Sequence, residues 1–225
     1  MSQHVLSHAL RVPALEKLKN KRIVLASNSP RRKEILRTFG LAPDIVPSTF
    51  EEDLDISEFP EPHEYPVATA THKAVEVYEK LVREDPDNPP DLVIGADTVV
   101  LTHPQPVTSD TSYSLIPGIN QELLENRYLN GQVLYPVLTS PGYTIKSIDE
   151  RSLVYFADNQ RYVLEAYAES GEGIDRAGGF AIQGQAGMLI RKIEGDYNNV
   201  VGFPAASFFK LLDLLVDEDP DFLDV

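Results

Sequence analysis

Two short runs of apolar, β-branched residues constrain this chain more than anything else in it: Arg22–Ala26 (RIVLA) and Asp91–Leu101 (DLVIGADTVVL). Runs of this length bounded by turn formers read as buried strands. Ser27-Asn28-Ser29-Pro30 follows the first, with Ser29 placed to cap a helix and Pro30 to open it. That helix covers Arg31–Phe39, and Gly40 stops it. Between the two runs, Val67, Ala70, Ala74, Val77 and Leu81 recur at steps of three and four, so His63–Arg83 is one long helix with an apolar stripe. Strands alternating with helices predict an α/β fold, a mixed sheet with helices on both faces.

The rest of the chain extends this pattern less evenly. Ile45–Pro47, Val133–Leu138, Arg151–Phe156 and Met188–Ile193 read as strands, and Gln160–Ser170 and Ala205–Val216 as helices. Gly95-Ala96-Asp97-Thr98 reads as a turn that interrupts its strand. Asn199–Val201 leads into a turn at Gly202-Phe203-Pro204, and the glycine-dense Ala177–Gly187 reads as a tight hairpin or a ligand loop. Thr102–Leu134 is poorly patterned, with loop over His103–Pro117 and one or two helical turns over Gln121–Tyr128. The expected organisation is an extension over 1–21, a single domain over 22–216 with an atypical, irregular 102–136, and an acidic tail over 217–225. The extension reads as a short amphipathic helix or a weak organellar presequence, the tail as a solvated terminus.

Charge and composition exclude several functions. The formal charge is −15, which disfavours binding to a nucleic-acid polymer. No run approaches the roughly 20 apolar residues of a membrane span. There are no cysteines, hence no disulfide, thiolate metal site or Cys nucleophile. The five histidines show no metal-ligand spacing. A reducing, cytoplasmic setting is expected.

Five constellations could carry chemistry. Ser27, Ser29, Arg31 and Arg32 stand at the N-terminus of a helix directly after a strand. Backbone N–H groups, hydroxyls and two guanidinium groups there would make a phosphate cradle; the same residues also read as a well-capped helix with two solvated arginines. Asp97 is a carboxylate inside an apolar run, so it needs a partner, a metal or a shifted pKa; a backbone-bonded bulge is the plainer reading. Glu51-Glu52-Asp53 with Asp55 suits a hard cation, or is a solvated acidic loop. Lys73 stands at the margin of the long helix's stripe, where a lysine ordinarily reaches out to water. Gln183, among glycines, has an amide able to read a base edge as donor and acceptor.

Taken in order, LASNSPRRKEIL (25–36), FEED (50–53), the Lys73-Ala74 helix, IGADTVV (94–100), DRAGGFAIQG (175–184) and IEGDYNNVVGFP (193–204) resemble the Maf family of nucleoside-triphosphate pyrophosphatases. The resemblance spans roughly Arg22–Leu101 and Pro141–Leu215, and PGYTIKSI (141–148) is similar to the family's eukaryotic branch. It implies a Maf/ITPase-like fold: a long, twisted, mixed sheet in two lobes around a nucleotide cleft. It also implies hydrolysis of a nucleoside triphosphate to monophosphate and pyrophosphate, with Mg²⁺ or Mn²⁺ as cofactor. By motif matching, Ser27, Arg31 and Arg32 bind phosphates, Glu52 helps hold the metal, and Lys73 neutralises phosphate charge. Asp97 orients or deprotonates the attacking water, or binds metal. Thr98 with Gln183 looks like the signature of the subgroup acting on dTTP and UTP. The expected partner is a nucleoside triphosphate, and a homodimer is left open.

The resemblance breaks down after Leu101. Family members carry a Lys-Pro step, a helix and a strand there, whereas Thr102–Pro136 contains no lysine; Arg127 is its only arginine and Lys146 the first lysine after Asp97. The second reading is therefore a catalytically impaired, Maf-like nucleotide-binding protein. The missing helix and strand are expected to leave sheet surface uncovered.

Overall fold

The computed structural model describes residues 3–101, 127–136, 142–219 and 221–223, with 127–136 described by their backbone. One six-stranded sheet organises them: β1 (Ile23–Leu25), β2 (Asp44–Ile45), β3 (Leu92–Val100), β4 (Arg127–Pro136), β5 (Tyr143–Phe156) and β6 (Ile190–Glu194), in the order β2-β1-β3-β4-β5-β6. β1 pairs in parallel with β2 and β3, and the remaining pairings are antiparallel. The helices are α1 (Pro13–Lys17), α2 (Pro30–Thr38), α3 (Glu64–Glu84), α4 (Arg161–Ser170), α5 (Tyr197–Val201) and α6 (Ala205–Glu218). This is the mixed α/β architecture expected.

Alternation along β1 and β3 explains their unbroken apolar sequence. Ile23, Leu25, Leu92, Ile94 and Ala96 pack with residues of α1, α2 and α6, while Val24, Ala26 and Val93 pack with Ala74, Val77, Tyr78 and Leu81 of α3. A strand covered on both faces has no side left for polar residues. A separate core at the far end of the sheet joins Val154 of β5 to Phe180, Ala186 and Val200.

Gly95 sets the distance between α3 and β3. A Cβ on it would run into the Ala70 carbonyl and stand 3.0 Å from the Ala74 Cβ. The helix thus rests directly on the strand, one turn from Lys73. Gly95→Ala should lift α3 off the sheet at an overpacking cost of about 1–3 kcal/mol. Chemical denaturation measures that cost, and an unchanged midpoint would show that the helix yields freely.

Several expectations are corrected. β3 is not interrupted at Gly95–Thr98: β4 pairs with it residue by residue, from Val93↔Leu134 to Val100↔Arg127, so the polar residues keep an extended ladder. Arg127–Pro136 is therefore regular strand rather than irregular chain, and β4 lies along β3 where the sheet was expected to be bare. Of the helical turns expected over Gln121–Tyr128, Arg127 and Tyr128 are strand, and 121–126 lie outside the described residues with the rest of 102–126. β5 starts at Tyr143 rather than Arg151, because its polar first half is held by pairing with β4. The 177–187 stretch is no hairpin: it forms two 3₁₀ turns, Ala177–Gly179 and Gln185–Met188. Asn199–Val201 belongs to a short helix, which Asp196 caps by accepting the Asn198 N–H at 2.7 Å.

The short helix expected in the N-terminal extension is present, and the tail differs from expectation. The N-terminal extension is helical over Pro13–Lys17, and Val5 bridges to Leu41. Val5, Ala14, Leu15 and Leu18 join the main core. Within the acidic tail Phe222 and Leu223 are buried in that same core, so the tail is anchored at its apolar residues.

Candidate active site

The site forms where β1 ends and β3 runs on. Ala26 donates its N–H to the Ile94 carbonyl, the last rung of that pairing, and the chain then turns into α2. Ser29 is the cap, accepting the Arg32 N–H at 3.5 Å, and Pro30 is the first helical residue. The buried Ser27 hydroxyl accepts from the Ser29 N–H at 3.2 Å and from Arg32 Nη1 at 3.0 Å.

Arg32 ties three segments together. Besides Ser27, its Nη2 donates to Thr98 Oγ1 of β3 at 3.1 Å and its Nε to the Gly202 carbonyl at 3.0 Å. Burial draws this guanidinium below its ordinary pKa, and the nearby carboxylates of Asp97 and Glu52 oppose that shift. An arginine nonetheless stays charged throughout the working range of proteins. Arg31, next to it, keeps a buried Nε with no hydrogen-bond partner among the described residues.

On the α3 face of β3 lies the second half of the site. Val93, Gly95 and Asp97 alternate onto that face, and α3 presents Lys73 to it. The Lys73 ammonium lies 2.9 Å from Asp97 Oδ1 and 2.6 Å from Glu52 Oε1. Lys73 and Asp97 are buried, whereas the Glu52 side chain is 56% exposed. Neither plain reading holds for these residues: Lys73 does not reach out to water, and Asp97 pairs with a cation instead of closing a backbone bulge. Removing one partner of such a buried pair leaves an uncompensated charge.

Six of the expected residues, Ser27, Arg32, Thr98, Asp97, Lys73 and Glu52, are thus linked by direct contacts or through neighbouring positions on β3. The expected residues of the site comprise three cations, Arg31, Arg32 and Lys73, and two carboxylates, Glu52 and Asp97. Gln183 is exposed on the link between the two 3₁₀ turns. The first of those turns approaches β3 at Gly178, where an added Cβ would stand 3.0 Å from a methyl of Val100.

Supporting residues went unread in the sequence. Asn199 donates to Ser152 Oγ at 2.9 Å and to the Glu150 carbonyl at 3.2 Å, which fixes the α5 turn whose Gly202 carbonyl holds Arg32. Gly202 has φ +148°, a backbone setting suited to glycine. Glu172 accepts the N–H groups of Gln185 at 2.9 Å and Ala186 at 3.1 Å, and the Tyr167 hydroxyl accepts from Ala181 N–H at 3.2 Å. Together they hold both ends of the Gln183 turn. Short spacing to a glycine-rich loop was the available signal, and it does not say which carboxylate turns inward.

The Gln185 N–H, followed by Ala186 and the Tyr167 hydroxyl, keeps the Glu172 carboxyl below its ordinary range against a smaller opposing effect of burial. A carboxylate with a lowered folded pKa contributes stability that is complete above its unfolded value, about 4.3. That contribution is lost as pH falls through the lower folded value. Glu172→Gln should therefore flatten the acid limb of the stability-versus-pH curve below about pH 4.3. Urea midpoints collected from pH 7 down to pH 3 check this, and parallel acid limbs would refute it.

Comparison with known proteins gives the family. Residues 22–215 match the Maf family, described as Maf-like protein. The chain belongs to the Maf family. Relatives of this Maf protein include a human protein named probable bifunctional dTTP/UTP pyrophosphatase/methyltransferase protein, 38% identical over 207 residues. That match takes in 89% of the chain and 33% of the human protein, so the chain spans about a third of it. A Schizosaccharomyces pombe protein named dTTP/UTP pyrophosphatase is 37% identical over 211 residues, covering 89% of the chain and 86% of that protein. One of the same name from Thermococcus kodakarensis is 36% identical over 202 residues, with 87% and 97% covered. No helix among the described residues is long and apolar enough to cross a membrane.

Proposed function

We propose that this Maf protein hydrolyses dTTP and UTP, or related nucleotides, to the monophosphate and pyrophosphate. The observation that carries the reading is the convergence of Glu52, Lys73 and Asp97 beside the Ser27–Arg32 cradle. The names of the relatives support it. Triphosphate charge needs cations, and water needs a base and a fixed position.

Arg31, Arg32, Ser27 and the N–H groups of the α2 turn bind phosphate oxygens. Lys73 balances charge at the anhydride and fixes the Asp97 carboxylate. Asp97 takes the proton of the attacking water as its oxygen bonds to phosphorus; the α–β anhydride bond breaks and pyrophosphate leaves with the electron pair. Gln183 pairs with the carbonyl and N–H edge of a pyrimidine, and Thr98 helps set that preference.

Mg²⁺ or Mn²⁺ is part of the reading. Glu52 and Asp97 both contact the Lys73 ammonium beside the cradle and are the carboxylates that would hold the ion there, since Mg²⁺ needs only one or two carboxylates when substrate phosphates and waters complete its shell. A donor set of two carboxylates suits a metal whose remaining ligands come from the nucleotide's phosphates and water. Bound there, it would supply charge stabilisation on the phosphates. A cytoplasmic setting belongs to the same reading, as does the absence of a nucleic-acid polymer partner.

Product analysis with each nucleoside triphosphate plus Mg²⁺ tests the proposal. UTP and dTTP should yield monophosphate and pyrophosphate, with purine and methylated guanine nucleotides cleaved more slowly. Release of orthophosphate, or a clear purine preference, would overturn it. One observation favours the second reading, nucleotide binding with impaired turnover: the chain carries no lysine between Lys80 and Lys146.

A further inference from the structure

A carboxylate outside the site itself holds the loop that carries Glu52. Glu76 lies on α3 three residues beyond Lys73. It accepts the Thr49 N–H at 3.0 Å, the Phe50 N–H at 3.2 Å, and both the Ser48 and Thr49 hydroxyls. Ser48 Oγ also accepts the Phe50 N–H at 3.0 Å, closing the turn on itself. The Phe50 ring stacks on His72, with centroids 4.8 Å apart and planes 9° from parallel. The Tyr65 hydroxyl donates to the Glu52 carbonyl at 3.3 Å. Tyr65, His72 and Glu76 recur at steps of seven and four, so one flank of α3 grips 48–52 along its length, with Lys73 beside it.

We propose that Glu76 is a positioning residue: by pinning the Ser48–Phe50 turn to α3, it presents the Glu52 carboxylate to Lys73 and to the divalent cation brought by the nucleotide. The proposal rests on the pyrophosphatase reading for the roles of Glu52 and the metal. Its physical basis is specific. Glu52 is more than half exposed, and its carboxylate meets the Lys73 ammonium. An ion pair whose carboxylate stays in solvent contributes little by itself to holding a loop. Four hydrogen bonds to one carboxylate, two of them from backbone N–H groups, contribute more, since bonds to charged acceptors are the strong ones. Groups that orient metal-binding carboxylates typically change metal affinity by about 10–100-fold when removed. Glu76 occupies that place relative to Glu52.

The test is a double-mutant cycle read in metal affinity. Mn²⁺ binding to the full chain is titrated calorimetrically in the presence of a non-hydrolysable α,β-methylene UTP. Wild type, Glu76→Ala, Glu52→Gln and the double variant are compared, with Glu76→Gln as the conservative variant. Glu76→Ala should weaken Mn²⁺ by about tenfold or more, Glu76→Gln should weaken it less, and Glu76→Ala should have no further effect once Glu52 is Gln. Equal losses in both backgrounds would reduce Glu76 to a structural contact and overturn the proposal, as would unchanged affinity or a wild type that binds no Mn²⁺. Pyrophosphate release by the wild type is measured separately. Coupling without release would preserve the positioning role and remove the activity, whereas release without coupling would do the reverse.

Discussion

Asp97→Asn should reduce pyrophosphate release by about 10²–10⁴, the usual contribution of a positioned general base. The fold should survive. Asparagine keeps the shape of the carboxylate, and the Lys73 ammonium keeps Glu52 at 2.6 Å. The loss of stability should therefore fall well short of the about 3–5 kcal/mol that follows when one partner of an isolated buried pair is removed. Release is measured under single-turnover conditions with enzyme in excess, so that a slow parent remains measurable, and unfolding is followed in denaturant alongside. A variant as fast as its parent would remove Asp97 from proton transfer. A variant that fails to fold would show that the Lys73–Asp97 pair holds α3 to β3.

The sheet centre was legible because its strands are buried on both faces. RIVLA and DLVIGADTVVL could hardly read otherwise, and the stripe on α3 named the helix that covers them. What escaped was structure whose cause lies in pairing rather than in side-chain pattern. The first half of β5, Tyr143–Glu150, is polar and is a strand because β4 pairs with it throughout. Gly95-Ala96-Asp97-Thr98 contains the residues of a turn, yet an uninterrupted partner strand keeps it extended. Local propensity yields to tertiary context in such segments.

The candidate site divides along the same line. Ser29 and Pro30 announced a helix start by chemistry that acts within a few residues. Lys73 and Asp97 could be singled out, but their 2.9 Å contact could not: it depends on α3 resting against Gly95, and a sequence carries no distance between a helix and a strand. Glu76 and Glu172 were invisible for a related reason. Each satisfies backbone N–H groups of a distant turn, and one acidic residue on a mostly acidic chain looks like any other until the turn is seen against it.

Replacing residues 102–126 with a family segment that carries the Lys-Pro step should raise turnover of UTP by about 10²–10³. That is the usual cost of losing one group that stabilises transition-state charge. Arg31, Arg32 and Lys73 provide the cations of the described site, and Arg32 is already committed to Ser27, Thr98 and Gly202. Its donors hold the scaffold before any nucleotide arrives, which leaves fewer to follow charge as it develops on the leaving pyrophosphate. Binding should change much less than rate, because on the proposed reading the α2 turn and the metal would carry most of the ground-state contacts; kcat should rise with KM nearly constant. The strand that follows in family members needs no graft, since β4 already pairs with β3 from Val100 to Val93. The unmodified chain should correspondingly turn over below the roughly 1–10³ per second of ordinary enzymes. An unmodified chain within that range would show that Arg127, Lys146 or a second subunit supplies the missing charge, and the graft would then leave kcat where it was.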